Sequence, residues 1–157
     1  MRYYAILCAL VALGLSTALA AAHQYKFGTL EIVHPHTRAT PPGAKVAGGY
    51  LIIRNRGDTA ERLTSATAEF AAKAEIHEMK MDGDVMRMRP LTGGLEIPAG
   101  GEVALEEGGL HFMFTGLKDQ LNPGEMRKAK LVFERAGEIE IEFVVEGMDA
   151  TVPHSGH

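Results

Sequence analysis

Apolar side chains recur at every second position in short runs along this chain, and that period fixes its fold class. Leu131 and Phe133 flank Val132, and Ile139, Ile141, Phe143 and Val145 alternate with Glu140, Glu142 and Val144. Successive side chains of a strand point to opposite faces, so such runs are half-buried strands. The same reading predicts strands over Val46–Asn55, Glu61–Ala66, Ala74–Met81, Val85–Arg89, Val103–Glu106, Leu110–Phe114, Lys128–Glu134 and Glu138–Val145. Pro41-Pro42-Gly43, Pro98-Ala99-Gly100-Gly101, Pro123-Gly124 and Arg135-Ala136-Gly137 separate them as turns, and Arg56-Gly57-Asp58 reads as another turn and not as an adhesion signal. No long amphipathic helix appears. Short strands at this spacing imply an all-β domain, an antiparallel Greek-key sandwich or barrel. A length of 157 residues suits one such domain.

Residues 1–22 read as an export address, separate from that domain. Arg2 gives a positive start, Ala5 to Leu15 an apolar stretch, and Ala18-Leu19-Ala20 or Ala20-Ala21-Ala22 a cleavage site. The apolar stretch is short for a membrane span and lacks a stop-transfer flank. The expected organisation is a signal peptide at 1–22, a folded domain at 23–147 and a short tail at 148–157, in a periplasmic protein without a membrane span. The single cysteine, Cys8, falls inside the address. The exported chain therefore has no thiol, which excludes thiolate catalysis, disulfides, iron–sulfur clusters and the blue-copper site. A formal net charge of −4 argues against a nucleic-acid partner.

What remains is an excess of soft ligands: eight methionines and seven histidines. The segment His77 to Met88 reads HEMKMDGDVMRM, and Asp82-Gly83 is a two-residue hairpin signal. With those two residues as the loop, His77 faces Met88, Met79 faces Met86, Glu78 faces Arg87 and Lys80 faces Val85. His77, Met79, Met81, Met86 and Met88 then share one side, and a one-residue slip would separate His77 from Met88. In Leu110-His111-Phe112-Met113-Phe114, period two sends Leu110, Phe112 and Phe114 to the core and His111 and Met113 together to the other face. Two strand pieces thus each offer an imidazole and at least one thioether. Thioethers are soft, uncharged donors that select Cu(I), and imidazole also suits copper. Zinc gains little from methionine, and calcium and magnesium require oxygen. A neutral set of two histidines and two methionines favours the singly charged ion and leaves no open position for an activated water. That chemistry belongs to a carrier and not to an enzyme.

The stretches HEMKMDGDVMRMRP, GGLEIPAGG, GGLHFMFTGL and TRATPPGAKVAGGYL resemble the PCu(A)C family of periplasmic copper chaperones over roughly residues 30–147. Ten residues separate His77 from Met88, and 22 separate Met88 from the His111-x-Met113 pair, as in the family motif. The resemblance implies a cupredoxin-like barrel with His77, Met88, His111 and Met113 as ligands of one Cu(I) ion. It also implies delivery to the dinuclear copper site in the second subunit of cytochrome c oxidase, with Sco-type thiol proteins acting alongside. Storage or detoxification of copper would use the same ligands. Met79 and Met86 read as packing residues, with Met81 as their neighbour. His34 and His36, on either side of Pro35, read as core or surface positions. Cleavage after Ala22 makes His23 a Cu(II)-chelating start, cleavage after Ala20 gives Ala-Ala-His, another such start, and an oxidative enzyme built on His23 would need a second histidine beside it. Met148, His154 and His157 make a tail too short for a second copper site.

Overall fold

The computed structural model describes residues 23–149. The signal peptide expected at 1–22 and the tail histidines His154 and His157 lie outside the described residues. Eleven strands follow in chain order: β1 (Gln24–Phe27), β2 (Leu30–Arg38), β3 (Val46–Asn55), β4 (Glu61–Ala68), β5 (Ala71–Asp82), β6 (Val85–Pro90), β7 (Leu95–Ile97), β8 (Glu102–Leu105), β9 (His111–Leu117), β10 (Met126–Phe133) and β11 (Gly137–Glu146). No helix of the described residues is long and apolar enough to cross a membrane.

Seven strands close into a barrel in the order β2-β11-β10-β4-β5-β9-β3, and β3 pairs back to β2. Six of these pairings are antiparallel. The seam between β11 and β2 is parallel, with Val144 opposite His36 and Glu146 opposite Arg38. The expected all-β barrel is therefore present, with one parallel seam in place of a wholly antiparallel ladder. β1, β6, β7 and β8 pair with the outer lengths of β2, β5, β4 and β3.

Alternation fills the barrel. Phe112, Phe114, Phe133, Phe143, Leu131 and Ile141 are all essentially excluded from solvent. Phe114 packs edge-on to Phe70 at 4.8 Å and to Phe143 at 5.4 Å between ring centroids. Edge-to-face aromatic packing of this kind adds to the large apolar area each ring removes from water. The strand Val46–Asn55 begins and ends where the sequence predicts. β9 starts one residue later than expected and runs on to Leu117. The short strands Gln24–Phe27 and Leu95–Ile97 carry too few alternations to be read without their partners.

One buried carboxylate pins the barrel's far end. Glu61 is 7% exposed and accepts backbone N–H bonds from Arg62 (2.9 Å), Arg135 (3.0 Å) and Ala136 (3.1 Å). It thereby ties the start of β4 to the turn between β10 and β11. Glu61→Ala would strand these donors. It is expected to destabilise the protein by about 2–3 kcal/mol, read as a lowered urea midpoint, with Glu61→Gln costing less because one acceptor remains.

Candidate metal centre

The β5–β6 hairpin forms where expected, but its loop is Gly83-Asp84 and not Asp82-Gly83. Asp82 pairs with Val85, Met81 with Met86, Met79 with Met88 and His77 with Pro90. Every facing pair has moved by two residues. The cause is the turn chemistry. Gly83 takes φ +63° at the first loop position, whereas Asp84 needs no positive φ. This is the demand of a type II′ loop, which wants glycine first, whereas the type I′ loop of an Asp-Gly signal wants it second. A shift of two preserves the faces, so His77, Met79, Met81, Met86 and Met88 still share one side. The charge pairing does change. Glu78 binds Arg89 at 3.1 Å instead of Arg87, and Arg87 turns to Asp82 at 2.9 Å.

The other edge of β5 pairs with β9, and its register brings the two sequence pieces together. His77 lies directly opposite His111, and Glu75 opposite Met113. At His77 both backbone edges of β5 are occupied, by Pro90 on one side and His111 on the other. Met88 therefore reaches over β5 toward β9. Its sulfur stands 3.2 Å from Nε2 of His111. The rings of His77 and His111 are 5.9 Å apart between centroids. Met113 shares the outer face of β9 with His111 and sits between Glu75 on β5 and Gly48 on β3. Gly48 matters here because Tyr50 folds over it, in space that a Cβ would claim.

The tautomer of His111 follows from its neighbour. Nδ1 of His111 lies 3.0 Å from the carbonyl oxygen of Gly109, which can only accept. That nitrogen donates, and in this Nδ1–H tautomer Nε2 offers its lone pair toward the Met88 sulfur. A metal ion is the Lewis acid that such a nitrogen and a thioether sulfur would share. Bonds of about 2.0 Å to nitrogen and about 2.3 Å to sulfur, the lengths zinc makes to imidazole and thiolate, separate the two ligand atoms by about 3.5 Å at a tetrahedral angle. The observed 3.2 Å is close to that bite.

His77 gives a second signal. Its Nε2 points to the Glu75 carboxylate at 3.4 Å, and its buried Nδ1 meets no hydrogen-bond partner among the described residues. An orphaned buried nitrogen costs about 1–3 kcal/mol, which a bound cation would offset. Glu75 is held ionised below the usual carboxylate range, first by its hydrogen bond with Lys73 and then by that with His77. A carboxylate behind a ligating histidine fixes the ring and raises its donor strength. Sequence reading passed over Glu75, although its place two residues before His77 on the same face was legible.

Exposure grades across the group. His111 is 7% exposed, whereas Met88 is 48% exposed. The imidazoles form a partly buried floor and the Met88 thioether an open lip. Met86 and Met81 are half exposed and pair with each other at the hairpin tip, so the packing role expected for Met86 does not hold. Met79 is partly buried and faces Met88 directly. Met148 is exposed.

Comparison with known proteins points the same way. A family profile described as "Putative lipoprotein LpqE-like" matches residues 30–145. The chain is 29% identical over 91 residues to "Putative lipoprotein Lxx21020" of Leifsonia xyli subsp. xyli, covering 58% of this chain and 55% of that relative. It thus spans about half the length of that curated protein. Among solved structures, the apo PCuAC domain from PmoF1 is 30% identical with a TM-score of 0.68, over 80% of this chain and 99% of that domain. The copper-bound PCuAC domain from PmoF2 is 26% identical with a TM-score of 0.67, over 80% of this chain and 98% of that domain.

Proposed function

This chain belongs to the LpqE-like family and carries a PCuAC domain, and on that premise we propose that it is a Cu(I) chaperone of the periplasm. One ion binds at His77, Met88, His111 and Met113 and is passed to the dinuclear copper site of cytochrome c oxidase. The observation that supports this reading best is the approach of His111 Nε2 to the Met88 sulfur at 3.2 Å, beside the orphaned Nδ1 of His77. The copper in the related PmoF2 domain agrees with it. Neutral soft ligands favour Cu(I) over Cu(II). Filling all four positions leaves none for substrate or activated water, so the site carries an ion and performs no catalysis.

Transfer to a partner needs a ligand that can be displaced first. Met88 fits, because it is a neutral thioether on a solvent-facing lip. A partner's sulfur or imidazole can replace it while His77, His111 and Met113 still hold the ion. The acceptor is the copper-bearing subunit of the oxidase, with a Sco-type thiol protein as co-chaperone.

X-ray absorption of the Cu(I)-loaded protein tests the ligand set. Two nitrogen and two sulfur scatterers are expected, and an all-nitrogen shell would reject it. Deletion of the gene tests delivery. Loss of oxidase activity at low copper, restored by added copper, is the expected result. Copper sensitivity with normal oxidase would indicate storage instead.

A further inference from the structure

A second group of ligands occupies the same outer face of the barrel, two strands away. His34, His36 and Glu146 each bring one ligand atom within 4.8 Å of the others. Period two along β2 would turn His34 into the barrel, because Ile32 points in and Val33 points out. A bulge prevents this: Val33 pairs with Ile52 but His36 pairs with Tyr50, so β2 fits one extra residue against β3. His34 stands at this bulge with φ +50°, the single positive φ of a non-glycine among the described residues. Such a conformation costs about 1–3 kcal/mol and adds nothing to the core. Its effect is to keep His34 outside, its ring 4.5 Å from that of His36. Bulges that re-aim a side chain are found beside functional sites.

We propose that His34, His36 and Glu146 form a second metal site, for a divalent ion of borderline hardness. The donors differ in kind from those of the Cu(I) site: two imidazoles and a carboxylate, with no sulfur. Nδ1 of His36 donates to the His34 carbonyl at 2.9 Å, which frees Nε2 as a lone-pair donor. His34 Nε2 meets Glu146 Oε1 at 2.8 Å, in the place where an ion would take over from a proton. Arg38 and Glu107 flank the group. Arg38 approaches the second Glu146 oxygen at 3.8 Å and binds Glu107 at 3.0 Å, leaving the cluster with net negative charge. Two imidazoles and one carboxylate suit Cu(II) or Zn(II), and the general affinity order of divalent ions puts Cu(II) first. Three protein ligands leave an open position. Tyr50 links the two sites: its ring is 5.3 Å from His36 and covers Gly48, the register partner of Met113. The protein would then hold a soft Cu(I) site and a harder divalent site on one face.

The test is titration of the exported, Cu(I)-loaded protein with Cu(II) under anaerobic conditions, read by electron paramagnetic resonance, and separately with Zn(II) by calorimetry. One equivalent of Cu(II) with nitrogen superhyperfine structure is expected. His36→Ala and Glu146→Gln are expected to weaken it at least about tenfold while leaving Cu(I) affinity intact. Met88→Leu and His111→Ala are expected to leave the Cu(II) equivalent in place even where Cu(I) is lost, which separates failure of this site from failure of the Cu(I) reading. His34 donates its backbone N–H to the carbonyl of His23 at 2.8 Å, so His23→Ala is the neighbouring control. Loss of Cu(II) in His23→Ala with retention in His36→Ala would move the site to the start of the chain and overturn the assignment. So would disappearance of the Cu(II) signal in His111→Ala.

Discussion

His111→Ala is expected to lower Cu(I) affinity about a thousandfold, because changes behind a ligand already cost about 10–100-fold and this one removes the ligand itself. His111 is the most buried member of the group and its ring is locked by the Gly109 carbonyl. Its Nε2 is held facing the Met88 sulfur before any ion arrives, so little ordering remains to be done on binding. With alanine there, the floor of the site loses its imidazole, and His77, Met88 and Met113 are left to hold the ion. The apo fold should suffer little. The side chain contributes one hydrogen bond, worth about 1 kcal/mol, and lies on the outer face and not among the core phenylalanines. Competition against a chromophoric Cu(I) chelator, with a thermal melt of the apo protein, separates the two effects. An affinity within about threefold of the parent protein, at unchanged apo stability, would remove His111 from the ligand set.

That residue also shows how far sequence alone reaches. The split of LHFMF into a core triplet and an outward His/Met pair needs only period two, and Phe112 and Phe114 are fully buried as it requires. The pairing of His77 with His111 is another matter. It is set by the register of two strands distant in sequence, which no local pattern encodes. The hairpin stands between these cases. Its existence and its faces were legible from Gly83, but the pairing was off by two because a single glycine satisfies either loop type, and only the backbone shows which position it takes. His34 was illegible altogether. A bulge reverses the face that period two assigns, and its third partner, Glu146, arrives through the parallel seam of a closed barrel.

Met88→Leu isolates the sulfur from the shape of the site. Leucine keeps much of the volume and apolar character of methionine but has no lone pair, so any loss reports on coordination and not on packing. A loss of about a hundredfold in Cu(I) affinity is expected. Met86→Leu is the matched control. It lies two residues away on the same face of the same strand, is 50% exposed against 48% for Met88, and pairs with Met81 at the hairpin tip, one step beyond the imidazoles. Its replacement is expected to change affinity by less than about threefold, since a solvated thioether that touches no ligand has little to contribute at equilibrium. Two methionines of nearly equal exposure are thus assigned opposite weights on position alone. The same chelator competition decides between them, and equal losses would mean that the hairpin offers sulfur interchangeably and that the 3.2 Å approach to His111 does not select Met88. The exposure of Met88 then bears on rate as well as affinity. The thioether that most tightens binding is also the one an acceptor reaches first, so Met88→Leu should lose its ion to a competing ligand faster than the parent protein while binding it at a similar diffusion-controlled rate.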